Sequence, residues 1–200
     1  MSEHYFSHQP QSQSSPKTWT YELRRKTFTF TSDVGVFSKN EVDFGSRLLV
    51  ETFAAPRITG DILDLGCGYG PIGIALAASF EDRKILMADV NERALALAKE
   101  NIQRNAILNA ELVRSDRFSN LTNYTFASIV TNPPIRAGKK VTYAMFEESK
   151  DALHSGGELW VVIQKKQGAP STKNKLSDLF GNVEVVAKDK GYFILKSIKV

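Results

Sequence analysis

The stretch that decides the fold is DILDLGCGYGPIG, Asp61 to Gly73. Its first part, DILDL, is a short apolar run of the kind a sheet buries on both faces. Its end leads into PIGIALAASF, which has no polar residue before Ser79 and reads as a buried helix. Between them Gly66, Gly68 and Gly70 let the backbone turn sharply and leave room for a ligand against the main chain. Pro71 suits a first helical turn, where its missing N–H has no partner to lose. Strand, glycine loop and helix in this order open a β-α-β unit.

The same rhythm continues toward the C-terminus. KILMAD, AELVRSD, FASIVTN and GGELWVVIQ read as strands. NERALALAKENIQRN, VTYAMFEESKDALH and STKNKLSDLF read as helices, the first with Asn91 as its N-cap. NVEVVAKDKGYFILKSIKV holds two strands around Lys190-Gly191, with no room for a helix between them, so they run antiparallel. The pattern predicts a doubly wound, mostly parallel seven-stranded α/β sheet with a C-terminal antiparallel hairpin. Ligands of such sheets lie beyond the carboxyl ends of the strands. Upstream, WTYELRRKTFTFTSD predicts a small N-terminal β-hairpin with its turn near Arg25-Lys26, and RLLVETFAA has helical spacing. Residues 1–17, rich in Ser, Gln, His and Pro, read as a disordered polar tail. The expected organisation is therefore one domain over 18–200, with hairpin and helix over 18–58 and the core over 59–200.

Composition narrows the class. Hydrophobic residues make up 42% and charged residues 24%, as in soluble globular proteins. Lys and Arg number 26 against 22 acids, a net +4 that leans toward anionic partners such as nucleic acid. The single cysteine, Cys67, cannot form an internal disulfide and fits a reducing compartment. No apolar run has membrane-spanning length and the N-terminus has no signal-type core, so a cytoplasmic location is expected. His4 and His8 are spaced four apart without further ligands, and no metal site is expected.

Two chemistries compete at the glycine loop. Gly68-Tyr69-Gly70-Pro71-Ile72-Gly73 fits the dinucleotide pattern G-x-G-x-x-G, with Asp89 ending the next strand. Alternatively, Asp64 belongs with Gly66, Gly68 and Gly70. A carboxylate there repels a pyrophosphate and attracts an ammonium group, which favours an amino-acid ligand over a dinucleotide. Asp89 can accept both hydroxyls of a ribose, or can serve the helix that starts near Asn91. Asp116, ending the next strand, is a binding residue or a turn former.

The second chemical motif is IVTNPPIRAGKK, Ile129 to Lys140. A strand stops at Asn132-Pro133-Pro134, and the prolines, lacking N–H donors, stiffen the backbone beyond its end. N-P-P at this place resembles that of methyltransferases acting on a nitrogen of a planar group, which implies that the Asn132 amide oxygen and the Pro133 carbonyl each accept one N–H of an exocyclic amino nitrogen. Such a nitrogen is a poor nucleophile, because its lone pair is delocalised, and needs orientation and charge stabilisation as it attacks. Arg136, Lys139 and Lys140 come immediately afterwards, and Lys165, Lys166, Lys173 and Lys175 come after a later strand on the same expected sheet edge. Cations there suit RNA phosphates, or form an ordinary solvated face.

Asp64-x-Gly66-x-Gly68-x-Gly70, Asp89, Asn132-Pro133-Pro134 and the upstream GVFSKNEVDFGSRLL together resemble the class I S-adenosylmethionine-dependent methyltransferases. Over about residues 19–200 the chain is similar to the small-domain ribosomal RNA guanine-N2 methyltransferases of the small subunit. The resemblance implies S-adenosylmethionine as cofactor, bound by Asp64, Gly66, Cys67, Gly68, Gly70, Asp89, Val90, Asp116 and Asn132. It implies catalysis by Asn132, Pro133 and Pro134, and an acceptor pocket that includes Phe37, Lys39, Asp43, Ile135, Arg136, Lys139, Lys140 and Lys165. From the residues alone, Asp43 is equally an N-cap for the following helix. Where many enzymes of this kind have an aromatic after N-P-P, this chain has Ile135, so Phe37 or Tyr143 could supply a stacking ring. Bacterial relatives of this type tend to carry a second, degenerate copy of the domain, and here there is one. The alternatives are a protein glutamine N-methyltransferase, a non-catalytic RNA-binding assembly factor on the same fold, and a nicotinamide oxidoreductase resting on GYGPIG alone.

Overall fold

The computed structural model describes residues 14–34, 36 and 41–200. It starts with a hairpin of β1 (Lys17–Leu23) and β2 (Lys26–Ser32). Trp19 pairs with Phe30 and Tyr21 with Phe28, which makes one face of the ribbon apolar. The turn residues are Arg24 and Arg25, one position earlier than expected, at φ 50° and 61°. A two-residue hairpin needs this left-handed pair. Helix α1 (Phe44–Thr52) holds it in place. The Arg24 guanidinium donates to the carbonyls of Val50 and Phe53, and its N–H to Glu51. A cation on the last carbonyls of a helix complements its dipole. Ser14 Oγ and Ser15 N–H both donate to Asp33, so the chain is tied to the hairpin ahead of residue 18.

The remaining elements are β3 (Ile62–Leu65), α2 (Pro71–Ser79), β4 (Ile85–Asp89), α3 (Glu92–Arg104), β5 (Ala110–Arg114), β6 (Phe126–Thr131), α4 (Lys139–Ala152), β7 (Leu153–Gln164), α5 (Ala169–Phe180), β8 (Glu184–Asp189) and β9 (Tyr192–Ile198). They build the expected seven-stranded sheet, in the order β5-β4-β3-β6-β7-β9-β8. Strand β9 runs antiparallel to both of its neighbours. Several boundaries differ from the sequence reading, α1 and α4 beginning at Phe44 and Lys139 rather than Arg47 and Val141. Strand β7 begins at Leu153 rather than near Gly156, because Leu153 pairs with Phe126 across a register shift in β6. Helix α5 begins at Ala169, with Pro170 in its first turn.

Consecutive strand residues face opposite layers, as the pleat requires. Ile62, Met87, Val130 and Trp160 pack with α1, α2, α3 and the hairpin. Leu63, Leu86, Ile129 and Val161 pack with α4 and α5. The hairpin is fastened by asparagines of α3. Asn101, fully buried, accepts from Thr31 N–H at 2.8 Å and donates to Thr31 O and Tyr69 O, both at 2.9 Å. Asn105 makes the same exchange with Thr29. Each amide thus pairs with the outer edge of β2 at Thr29 and Thr31 as another strand would.

Strands β3 and β6 are neighbours, yet their chains continue in opposite directions across the sheet. Their carboxyl ends therefore face one crevice, which the glycine loop enters from β3 and Asn132 from β6.

Candidate active site

The glycine loop is held from below and left open above. Gly66 N–H and Cys67 N–H donate to Ala88 O at the end of β4. Gly68 N–H donates to Asp89 Oδ2 at 2.8 Å, and Asn91 N–H to Asp89 Oδ1 at 2.8 Å. Asp89 therefore binds the loop to the start of α3, while Asn91 itself caps that helix. At Gly66 and Gly68, φ is 78° and 57°, and a Cβ would meet nothing within 4 Å. That space is part of a cavity of about 580 Å³, the size of a small-molecule site. Gly73 faces the opposite situation. A Cβ there would lie 2.6 Å from the Met87 side chain, so α2 packs on the sheet only with glycine at this place.

Asp64 is not where the resemblance put it. It is fully buried and lies behind the loop rather than on the cavity wall. Its Oδ2 accepts from Gly73 N–H at 2.8 Å, and its Oδ1 has no hydrogen-bond partner among the described residues. Burial, with a smaller contribution from Asp89, pushes its carboxyl up to about 7. The reason is desolvation: at the last inward position of β3 the side chain has α2 above it and no water. It supports the loop from beneath and makes no contact through the cavity. Burial also raises the Asp89 carboxyl, against the N–H groups of Asn91, Gly68 and Val90. Burial and the two nearby acids push the Cys67 thiol well up, so it stays protonated and is a wall residue, not a nucleophile.

The cavity is closed on its other side by the end of β6. Thr131, fully buried, donates to Leu65 O at 2.8 Å and ties the two strand ends together. Asn132, Pro133 and Pro134 line the cavity, followed by a 3-10 turn over Ile135–Ala137. Asn132 Nδ2 donates to Ser46 Oγ at 3.0 Å and to both Asp43 oxygens at 3.3 Å. Asp43 also caps α1, accepting from the N–H groups of Gly45 and Ser46. Asp43 thus caps α1 and also lies on the cavity wall.

Of the expected cofactor residues, Gly66, Cys67, Gly68, Asp89, Val90, Asp116 and Asn132 line the cavity. Gly70 is the left-handed N-cap of α2, just behind it. Of the expected acceptor residues, Asp43, Ile135 and Arg136 line the cavity too. Lys139 and Lys140 are exposed in the first turn of α4, and Lys165 is exposed after β7, so these three flank the cavity and do not line it. Phe37 and Lys39 lie outside the described residues. Tyr143 turns away: its hydroxyl donates to Ser171 O in α5 and Lys175 covers its ring.

Among the wall residues that carried no signal in the sequence are the polar side chains of Ser46, Ser115, Arg117 and Gln167. Arg117 takes φ 49° and pairs with Glu148 of α4 at 2.9 Å. Ser115, buried beside it, donates to its carbonyl. For Ser115, Arg117 and Gln167 the hint was position, just past the end of a parallel strand, and Ser46 lies in the first turn of α1.

One comparison decides the family: residues 27–196 match the family model described as methyltransferase small domain. The chain belongs to that family. The methyltransferase is 60% identical over 201 residues to the uncharacterized protein YbxB of Bacillus subtilis (strain 168), with both chains covered completely. It is 38% identical over 162 residues to ribosomal RNA small subunit methyltransferase C of Actinobacillus pleuropneumoniae serotype 3 (strain JL03), covering 78% of this chain and 48% of the relative. It thus spans about half the length of that named relative. Among solved structures, it superposes with a TM-score of 0.82 and 26% identity on the T. thermophilus 16S rRNA N2 G1207 methyltransferase (RsmC) in complex with AdoMet and guanosine, covering 96% of this chain and 52% of that one. The cofactor is S-adenosylmethionine. The open glycine shelf, with the Asp89 carboxylate at its edge, leaves room for it.

Proposed function

We propose that this methyltransferase modifies an exocyclic amino nitrogen, guanine N2, in ribosomal RNA. The observation that carries this reading is Asn132-Pro133-Pro134 at the end of β6, sharing one cavity with the glycine loop of the adjacent β3. S-adenosylmethionine supplies an electrophilic methyl group when bound. The chain's own residues prepare the nucleophile. Asn132 Oδ1 and the Pro133 carbonyl accept the two N–H groups of the amino nitrogen, aim its lone pair into the cavity and stabilise the positive charge that grows there. Pro133 is buried and Pro134 leads directly into the 3-10 turn, so both acceptors sit on stiff backbone. No strong general base is required, because the proton becomes acidic as the new N–C bond forms and leaves to water.

The RNA part rests on exposed cations around the cavity and on relatives named for ribosomal RNA methylation. Arg136, Lys139, Lys140 and Lys165 are placed to meet phosphates beside a base turned into the cavity. The guanine N2 part agrees with the N2 G1207 activity named for the T. thermophilus protein. Nucleoside mass spectrometry of ribosomal RNA from a strain lacking this gene tests both. N2-methylguanosine is expected to fall at one site and return with the wild-type gene but not with Asn132→Ala. In vitro, Asn132→Ala should lower kcat by about 100-fold or more and leave S-adenosylmethionine affinity within a few-fold. Label transferred to the protein fraction instead of RNA would move the acceptor to a glutamine amide.

A further inference from the structure

The amide of Asn132 has two ends alike in shape and opposite in hydrogen bonding. Only its oxygen can accept from an amino nitrogen, and a flipped side chain would oppose donors to donors. The structure holds a device against that flip. Asn132 Nδ2 lies 3.3 Å from each Asp43 carboxylate oxygen and 3.0 Å from Ser46 Oγ. A carboxylate only accepts, so the end of the amide facing Asp43 must be the nitrogen. Asp43 is itself immobilised. Its Oδ1 accepts from Gly45 N–H at 3.0 Å and Ser46 N–H at 3.2 Å at the start of α1. Ser46 is buried against the same helix end, at 4% exposure.

We propose that Asp43 and Ser46 are positioning residues, which hold the Asn132 amide with its nitrogen toward α1 and its oxygen toward the acceptor. The proposal rests on the amino-nitrogen reading above. It makes the N-terminus of α1 part of the catalytic apparatus although neither residue handles the methyl group. It also gives the cap a reason to be a carboxylate: Asn or Ser would cap α1 about as well, but only Asp presents two acceptors and no donor.

That difference is the test. Asp43→Ser keeps a cap and removes the reach to Asn132. Asp43→Asn keeps a cap and offers an NH2 group to Asn132 Nδ2, which favours the flipped amide. With in vitro transcribed small-subunit ribosomal RNA as acceptor, kcat should fall about 10-fold in Asp43→Ser and about 100-fold in Asp43→Asn, at unchanged KM for S-adenosylmethionine. Ser46→Ala should fall about 3-fold, having lost one of the contacts. A second readout needs no acceptor. In nitrogen-edited proton NMR, the Asn132 side-chain amide, assigned by its loss in Asn132→Ala, should exchange slowly with solvent in the wild type and fast in Asp43→Ser. Wild-type kcat in Asp43→Asn, or equal amide exchange in wild type and Asp43→Ser, overturns the proposal. If the wild type methylates no RNA, the guanine reading falls, while amide exchange still judges the positioning.

Discussion

At the scale of single residues, Asp64 shows how a motif and its chemistry can separate. The motif places a carboxylate at the end of β3, and packing then puts it under α2 with one oxygen bonded and the other without a hydrogen-bond partner among the described residues. Burial raises the folded carboxyl to about 7 from its ordinary 3.8. Between these values the folded protein holds a proton that the unfolded chain has released, so stability falls as pH rises through this window and is level above it. The loss is about 4 kcal/mol when complete, at 1.36 kcal/mol per pH unit. Asp64→Asn removes the titration. In urea unfolding at pH 5, 6, 7 and 8, the variant should gain on the parent up to about pH 7 and level off by pH 8, and a constant gap would refute the assignment. Asn132 is the opposite case. Its proposed chemistry was read from Asn-Pro-Pro together with the glycine loop, but the partners of its amide were not legible, since Ser46 is 86 residues away in the chain.

At the scale of elements, periodicity and punctuation were enough to place the strands and helices of the core. Apolar strands, glycine turns and asparagine caps are local signals, set by backbone sterics and by which groups need hydrogen bonds. The starts of β7 and α5 were harder, because pairing partners and not propensity set them. What fastens the hairpin was invisible for the same reason. Asn101 and Asn105 sit in a helix pattern as two ordinary polar residues, yet they complete the edge of β2. Asn101→Ala would remove the hydrogen bonds that its amide makes to the backbone groups of Thr31 and Tyr69. It should destabilise the fold by about 3 kcal/mol in urea unfolding. Because Tyr69 belongs to the glycine loop and packs edge-on against Trp19 and Phe30, the same variant should bind S-adenosylmethionine several-fold more weakly by calorimetry. Unchanged affinity would show that the hairpin does not brace the loop.

At the scale of the whole molecule, charge and topology meet at the carboxyl edge of the sheet. Lys139 and Lys140 stand in the first turn of α4, where cations oppose the helix dipole. Replacing both with Gln should therefore raise the unfolding midpoint slightly. In filter binding to small-subunit ribosomal RNA across a salt series, the slope of log affinity against log salt should become shallower by about one to two. An unchanged slope would place these lysines off the RNA path. Among the described residues no helix is long and apolar enough to cross a membrane, and no cluster of side chains could hold a metal ion.

The sequence by itself determined the order of strands and helices and the two loops proposed to carry the chemistry, because each rests on local pattern, and its resemblance to a family implied the cofactor. Tertiary structure alone decided that β3 lies beside β6, which brings the glycine loop and Asn132 to one cavity. It also buried Asp64 beneath the loop, and set Asp43 and Ser46 against the Asn132 amide. Those outcomes depend on contacts between distant parts of the chain, which form only when both faces of the sheet are covered and each buried polar group must find its partner.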